Sequence, residues 1–171
     1  MIDRETRLAW LVDHAKRPRH QGRLPDADVR MPGGNPGCGD VVTLYLKAAD
    51  GESRVAAVSF EGQGCTLSQA AASILVERVN RDRPSFADVL DMSYEEMIDL
   101  LGRDLVSSRP RCATLALGTL KAAVKAAETN RALKRAGHTD AEIQELRRGI
   151  AVEAARTGLV LGDAADEAGR G

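Results

Sequence analysis

Val41-Val42-Thr43-Leu44-Tyr45-Leu46-Lys47, followed by Asp50-Gly51 and then Val55-Ala56-Ala57-Val58-Ser59-Phe60, carries the clearest strand signal in the chain. Val42, Leu44 and Leu46 alternate with Thr43, Tyr45 and Lys47, so one face is apolar and the other polar. Residues 55–60 form a second β-rich run, and Asp50-Gly51 between them is a hairpin signal. Residues 41–60 are therefore expected to form an antiparallel pair, which a short strand at Ala27–Met31 extends to three. On the N-terminal side, Asp3 caps a helix over residues 3–16 with an apolar stripe of Leu8, Leu11, Val12 and Ala15. Pro18 ends it, and residues 18–40 are rich in Pro and Gly.

From Cys65 onward the periodicity is helical. Leu67, Ala70, Ala71, Ile74, Leu75 and Val79 give one helix a face of mostly small residues, suited to close packing on the sheet. Ser85-x-x-Asp88 and Ser93-x-x-Glu96 read as capping boxes that open two short helices. Cys112 opens a long helix ending near Gly137, and Thr139-x-x-Glu142 starts another. The tail from Gly158 is small and acidic and is expected to fray. Strands first and helices after make an α+β fold.

The 171 residues carry 24 basic and 25 acidic side chains, and only one Trp, two Tyr and two Phe. Near-zero net charge and few aromatic rings argue against nucleic acid as a partner. No apolar run approaches the roughly 20 residues that span a bilayer, and the charged N-terminus has no signal-peptide core, so no membrane partner is expected. Three cysteines are an odd number, which favours thiol chemistry in a reducing, cytoplasmic setting over a disulfide scaffold.

Those cysteines concentrate the chemistry. Asn35-Pro36-Gly37-Cys38-Gly39-Asp40 puts a thiol and a carboxylate two residues apart in a turn that Pro36 and the glycines constrain. Cys65 follows Gly62-Gln63-Gly64, and Cys112 follows Arg109-Pro110-Arg111. Three thiols and one carboxylate satisfy a tetrahedral Zn²⁺ or the irons of a [2Fe–2S] cluster. The spacings contain no C-x-x-C, so on spacing alone a shared metal site and inert buried cysteines are comparable readings. Placement favours the first. Cys65 and Cys112 lie near helix starts, where the dipole and free amides stabilise thiolate, and Arg111 adds charge beside Cys112.

Asn35 to Asp40, Phe60 to Ser73 and Arg111 to Ala116 together resemble the motifs of the U-type iron–sulfur cluster assembly proteins, IscU and SufU. Asp13-His14-x-Lys16-x-Pro18-Arg19 is similar to the same family, and the resemblance spans about residues 5–128. It implies an IscU/SufU-like scaffold domain over residues 1–129, with 130–171 as an added helical extension. It further implies Cys38, Asp40, Cys65 and Cys112 as the ligand set for a [2Fe–2S] cluster or iron, with Zn²⁺ the alternative resting metal. Asp40 would be the exchangeable ligand, a hard oxygen among soft sulfurs. Cys38 would accept sulfur from a cysteine desulfurase of the SufS or IscS type, with Cys112 the second candidate. The implied function is cluster assembly and delivery to apo iron–sulfur acceptor proteins, the work of a scaffold and sulfur acceptor, not a self-contained enzyme. The alternative is a zinc-dependent sulfurtransferase that activates a SufS-type desulfurase.

The cysteine flanks are closer to SufU. Arg111 stands where IscU has a His before the third Cys, and Leu-Pro-Pro-Val-Lys is absent ahead of it, so a dedicated Hsp70 chaperone is not an expected partner. The insertion usual in SufU is also missing, since only residues 66–111 separate Cys65 from Cys112. His14 and His20 are expected to be solvated or to cap, with desulfurase docking as the sharper alternative. Lys121 and Lys125 are expected on a solvent face.

Overall fold

The computed structural model describes residues 3–156. The chain divides into two compact units, Met1–Val124 and Lys125–Gly171. In the first, α1 (Arg4–Lys16) precedes strands β1 (Val29–Asn35), β2 (Asp40–Ala48) and β3 (Val55–Gln63). Helices α2 (Thr66–Asp82), α3 (Phe86–Asp91), α4 (Tyr94–Leu101) and α5 (Arg103–Val106) follow, and α6 (Pro110–Arg135) contains the boundary between units. The second unit continues into α7 (Asp140–Arg156). The frayed tail expected from Gly158 lies outside the described residues.

The sheet is antiparallel throughout, in the order β1-β2-β3. Leu44 pairs with Phe60 and Leu46 with Val58, and all four are buried, so the alternation in the sequence becomes one apolar face. Onto it packs α2, which also packs on α1, and between these neighbours it buries Ala70, Ala71, Ala72, Ile74, Leu75, Val76 and Val79. Ala113, Ala116, Leu117 and Leu120 of α6 complete this core. The outer edge of β3 is covered. Asn80 takes both the N–H and the carbonyl of Val58 (2.9 and 2.7 Å), while His20 and Gly22 take those of Phe60 (3.1 and 2.8 Å).

Four expectations change in detail. The first strand begins at Val29, not Ala27, and runs to Asn35 through Pro32-Gly33-Gly34. Proline is tolerated there because β1 is an edge strand. The Asp50-Gly51 turn is part of a longer connection, residues 49–54, because the register shifts at Lys47/Ala48 before the strands part. Lys121 does not merely face solvent: its Nζ donates to the Leu90 carbonyl (2.8 Å) and lies 4.9 Å from the Tyr94 ring centre. The capping boxes at Ser85/Asp88 and Ser93/Glu96 form as expected, as does the reciprocal pairing of Thr139 with Glu142.

The fourth concerns His14, which is 1% exposed and not solvated. Leu11 and His14 are the buried positions of α1, whereas Leu8 is 44% exposed, so the real stripe is narrower than its apolar residues suggest. His14 Nδ1 lies 2.8 Å from the Ser73 hydroxyl, which also accepts the Arg19 amide, and His14 thereby ties α1 to α2. Burial, helped by the Arg19 charge and opposed by Glu77 and Asp13, lowers its pKa. Unfolded chain therefore takes up this proton first as pH falls. Its contribution is complete above the unfolded value of about 6.5 and disappears as pH drops through the folded one. Thermal melts should accordingly show the melting temperature falling from pH 7 to pH 5, with a shallower fall in His14→Gln. Equal slopes would show that His14 is not the titrating group.

Candidate metal centre

β1 and β2 stay paired up to Asn35 opposite Asp40, so residues 36–39 are the tip of a hairpin. The amides of Cys38 and Gly39 both donate to the Asn35 carbonyl (3.1 and 2.9 Å), and Gly39 closes the tip at φ +69°, where a side chain would be strained. The result separates the two groups of the motif. Cys38 is exposed at the tip, while Asp40, the first residue of β2, is 2% exposed.

Cys65 sits at the N-cap of α2 in extended conformation, and its side chain makes no capping bond. The thiol is thus left to the site. Its amide donates to Asp40 Oδ1 (2.9 Å) and its Sγ approaches Asp40 Oδ2 (3.7 Å). Gly64 makes this approach possible, because a Cβ there would lie 2.7 Å from Asp40 Oδ1 and press on the Ser68 hydroxyl. Cys112 lies in the first turn of α6, with Pro110 opening the helix where a missing N–H costs nothing. Its thiol is buried and lies 3.5 Å from Cys38 Sγ.

Cys38, Asp40 and Cys112 each offer a donor atom within 4.8 Å of the other two. Cys65 falls outside that mutually close set, although it touches Asp40. The chemistry of the donors fits the expected groups. Zn–S bonds of about 2.3 Å in a tetrahedron put two sulfurs about 3.8 Å apart. The 3.5 Å between Cys38 and Cys112 is close to that.

The site is electrostatically divided. For Asp40, burial opposes ionisation, but hydrogen bonds from the Cys112 thiol, the Cys65 amide and thiol, and Ser68 outweigh it and lower its pKa. For Cys65, burial likewise opposes ionisation and bonds from Ser68 and the Leu67 amide win, so its pKa is lowered, as a helix start predicts. Cys112 departs from the same expectation. Burial first, then its bonds to Asp40 and Cys38 and the neighbouring negative charges, push its thiol well up. The cation beside the thiols is also not the expected one. Arg109 hydrogen-bonds Cys65 and feels the charges of Cys38 and Cys112, which raises its own pKa. Arg111 lines the groove beside β1 instead. Two positions separate the two arginines, one just before α6 and one in its first turn, and the sequence did not indicate which faced the site. Asp88 and Glu96 are occupied in capping boxes.

The family model described as the NifU-like N-terminal domain matches residues 9–133. The chain belongs to that family. Among similar NifU-like proteins, the Thermotoga maritima iron–sulfur cluster assembly scaffold protein IscU is 38% identical over 129 residues, 67% of this chain and 89% of that protein. The Bacillus subtilis zinc-dependent sulfurtransferase SufU is 33% identical over 129 residues, 67% of this chain and 86% of that one. The crystal structure of a putative iron–sulfur cluster assembly scaffold protein from Fervidobacterium islandicum shares the fold. Its TM-score is 0.58 at 24% identity, over 67% of this chain and 93% of that chain. The NifU-like fold is thus α+β, with a three-stranded antiparallel sheet against several helices, as the sequence indicates. Among the described residues, no helix is long and apolar enough to cross a membrane.

Proposed function

We propose that this chain is an iron–sulfur cluster assembly scaffold. It builds a transient [2Fe–2S] cluster on Cys38, Asp40, Cys65 and Cys112 and passes it to apo acceptor proteins. The observation that carries this reading is the convergence of donors from residues 38, 40 and 112 within 4.8 Å, with Cys65 against Asp40. Sulfur arrives from a cysteine desulfurase as a persulfide. The Cys38 thiolate attacks the outer sulfur, a new S–S bond forms on Cys38, and the desulfurase thiolate leaves with the electrons of the old bond. Exposure at the hairpin tip suits Cys38 to this role, and burial makes Cys112 the poorer acceptor. Asp40, the single oxygen donor, supplies the weaker bond that an acceptor thiolate displaces. On this reading residues 1–129 are the working scaffold and 130–171 an added helical extension.

The second reading is a zinc-dependent sulfur relay for a SufS-type desulfurase, favoured by the thiol spacing close to that around one tetrahedral ion. Zn²⁺ on the same four side chains would keep the thiols deprotonated. Anaerobic purification with metal and acid-labile sulfide analysis separates the two. The scaffold reading expects iron with equimolar sulfide and visible absorption. About one zinc per chain without sulfide, with desulfurase activation lost on demetallation, selects the relay. A chain that takes up neither metal sinks both.

A further inference from the structure

We propose that Asn35 is a positioning residue of the metal centre, donating a side-chain N–H to the Cys112 sulfur while its oxygens hold the Cys38 tip. The inference rests on the reading of Cys38 and Cys112 as metal ligands and goes beyond it to how they differ. Asn35 is 6% exposed, at the last position of β1. Its Nδ2 donates to Cys112 Sγ at 3.7 Å and its Oδ1 accepts the Gly37 amide at 3.3 Å. Its backbone carbonyl accepts the amides of Cys38 and Gly39. One residue therefore meets both sulfur-bearing elements, the hairpin tip and the first turn of α6.

The orientation of the amide follows from these partners. Turned over, Asn35 would set its oxygen against the sulfur and its NH₂ against the Gly37 N–H, losing both bonds at once. Residue type is equally constrained. Serine can still accept from Gly37 but is too short to reach Cys112, an aspartate has no proton to offer a thiolate, and alanine does neither. Pro36 contributes by holding Asn35 in extended backbone, which aims its side chain at the end of the strand.

The consequence is chemical. A metal-bound thiolate is an acceptor only, and Cys112 is too buried to receive its hydrogen bond from bulk water. A fixed N–H on that sulfur lowers the energy of its lone pairs, as hydrogen bonds to cluster sulfurs do when they tune potential. Cys112 is thereby held as the anchoring ligand. Cys38, exposed and carried on the tip, is left as the thiol that accepts sulfur.

The test uses the full chain loaded with Co²⁺ alone, whose sulfur-to-metal absorption band reports lone-pair energy directly. In Asn35→Ser the band is expected to move to lower energy. Affinity should fall about 10–100-fold, the usual effect of losing an outer partner of a ligand. The melting temperature of the metal-free variant should stay with the wild type, since serine keeps the Gly37 contact. Asn35→Ala should shift the band in the same direction, and is read by the same criterion should the serine variant fail to fold. A band at the wild-type energy overturns the inference, whatever happens to affinity. A wild-type chain with no sulfur-to-cobalt band removes the metal-centre reading itself, and the role of Asn35 with it.

Discussion

Cys112→Ser is expected to reduce zinc or iron binding by more than about 100-fold, since losing a mere outer partner already costs about 10–100-fold. Metal-free stability should change by no more than about 1 kcal/mol. The two expectations come from the same geometry. Cys112 is 1% exposed and central to the set of mutually close donors. A serine there keeps nearly the same shape, and its hydroxyl can donate to the Asp40 carboxylate and accept from Asn35, so no buried polar group is stranded. Cys65→Ser provides the contrast. Cys65 lies outside the close set, so it should retain more metal than Cys112→Ser. Titration with a chromophoric chelator measures both. Equal losses would show that metal draws Cys65 inward and that the three-donor set is not the core of the site.

Gly62→Ala should be the most damaging small substitution in the sheet. A Cβ at Gly62 would lie 2.6 Å from the Val41 carbonyl oxygen and 3.3 Å from the Val42 Cα. Both are backbone atoms of the paired strand, and neither can turn aside as a side chain would. Overpacking of this kind costs about 2–3 kcal/mol, and a melting temperature roughly 5–10 °C lower should result. Because β3 leads directly through Gly64 to Cys65, displacement of the strand also pulls Cys65 away from Asp40. Gly149→Ala is the control. Gly149 lies within α7 with open space around its Cα, so alanine should be neutral or stabilise by up to about 1 kcal/mol. A Gly62→Ala chain that melts with the wild type would show that β2 and β3 can separate there without loss.

The parts of this structure that follow from periodicity were legible in the sequence. Leu44, Leu46, Val58 and Phe60 lie on the face their alternation assigns, and the capping boxes open helices where Ser and an acid stand three apart. Less legible were features decided by contact between distant residues. A Pro-Gly-Gly run argues for loop on local propensity, but the pairing of Pro32 with Thr43 and Gly33 with Val42 holds it in β1. His14 reads as a polar residue near a helix end, and its burial becomes evident only when α2 brings Ser73 and Glu77 against it. At the site, residue types identified the four donors as candidates, yet not their inequality. Cys112 follows a helix start, where its thiol should ionise readily, and burial reverses that. Asn35 was visible only as the first residue of the Cys38–Asp40 motif, before a proline, with no role of its own. Its signal is an amide side chain beside a thiol motif, a weak one without the position of α6.

The two close thiols lie 74 positions apart in the chain, and this has a consequence for synthesis. A ribosome adding 5–20 residues per second needs about 4–15 s to travel from one to the other. During that interval the emerging polypeptide displays Cys38 and Asp40 at first and Cys65 later, a weaker chelator than the full set, and the thiol that would close the grip on Cys38 has not yet been made. On the metal-centre reading, a nascent chain is thus a poor scavenger of stray metal, and tight capture is expected only once translation has passed the third cysteine and the helix behind it has docked.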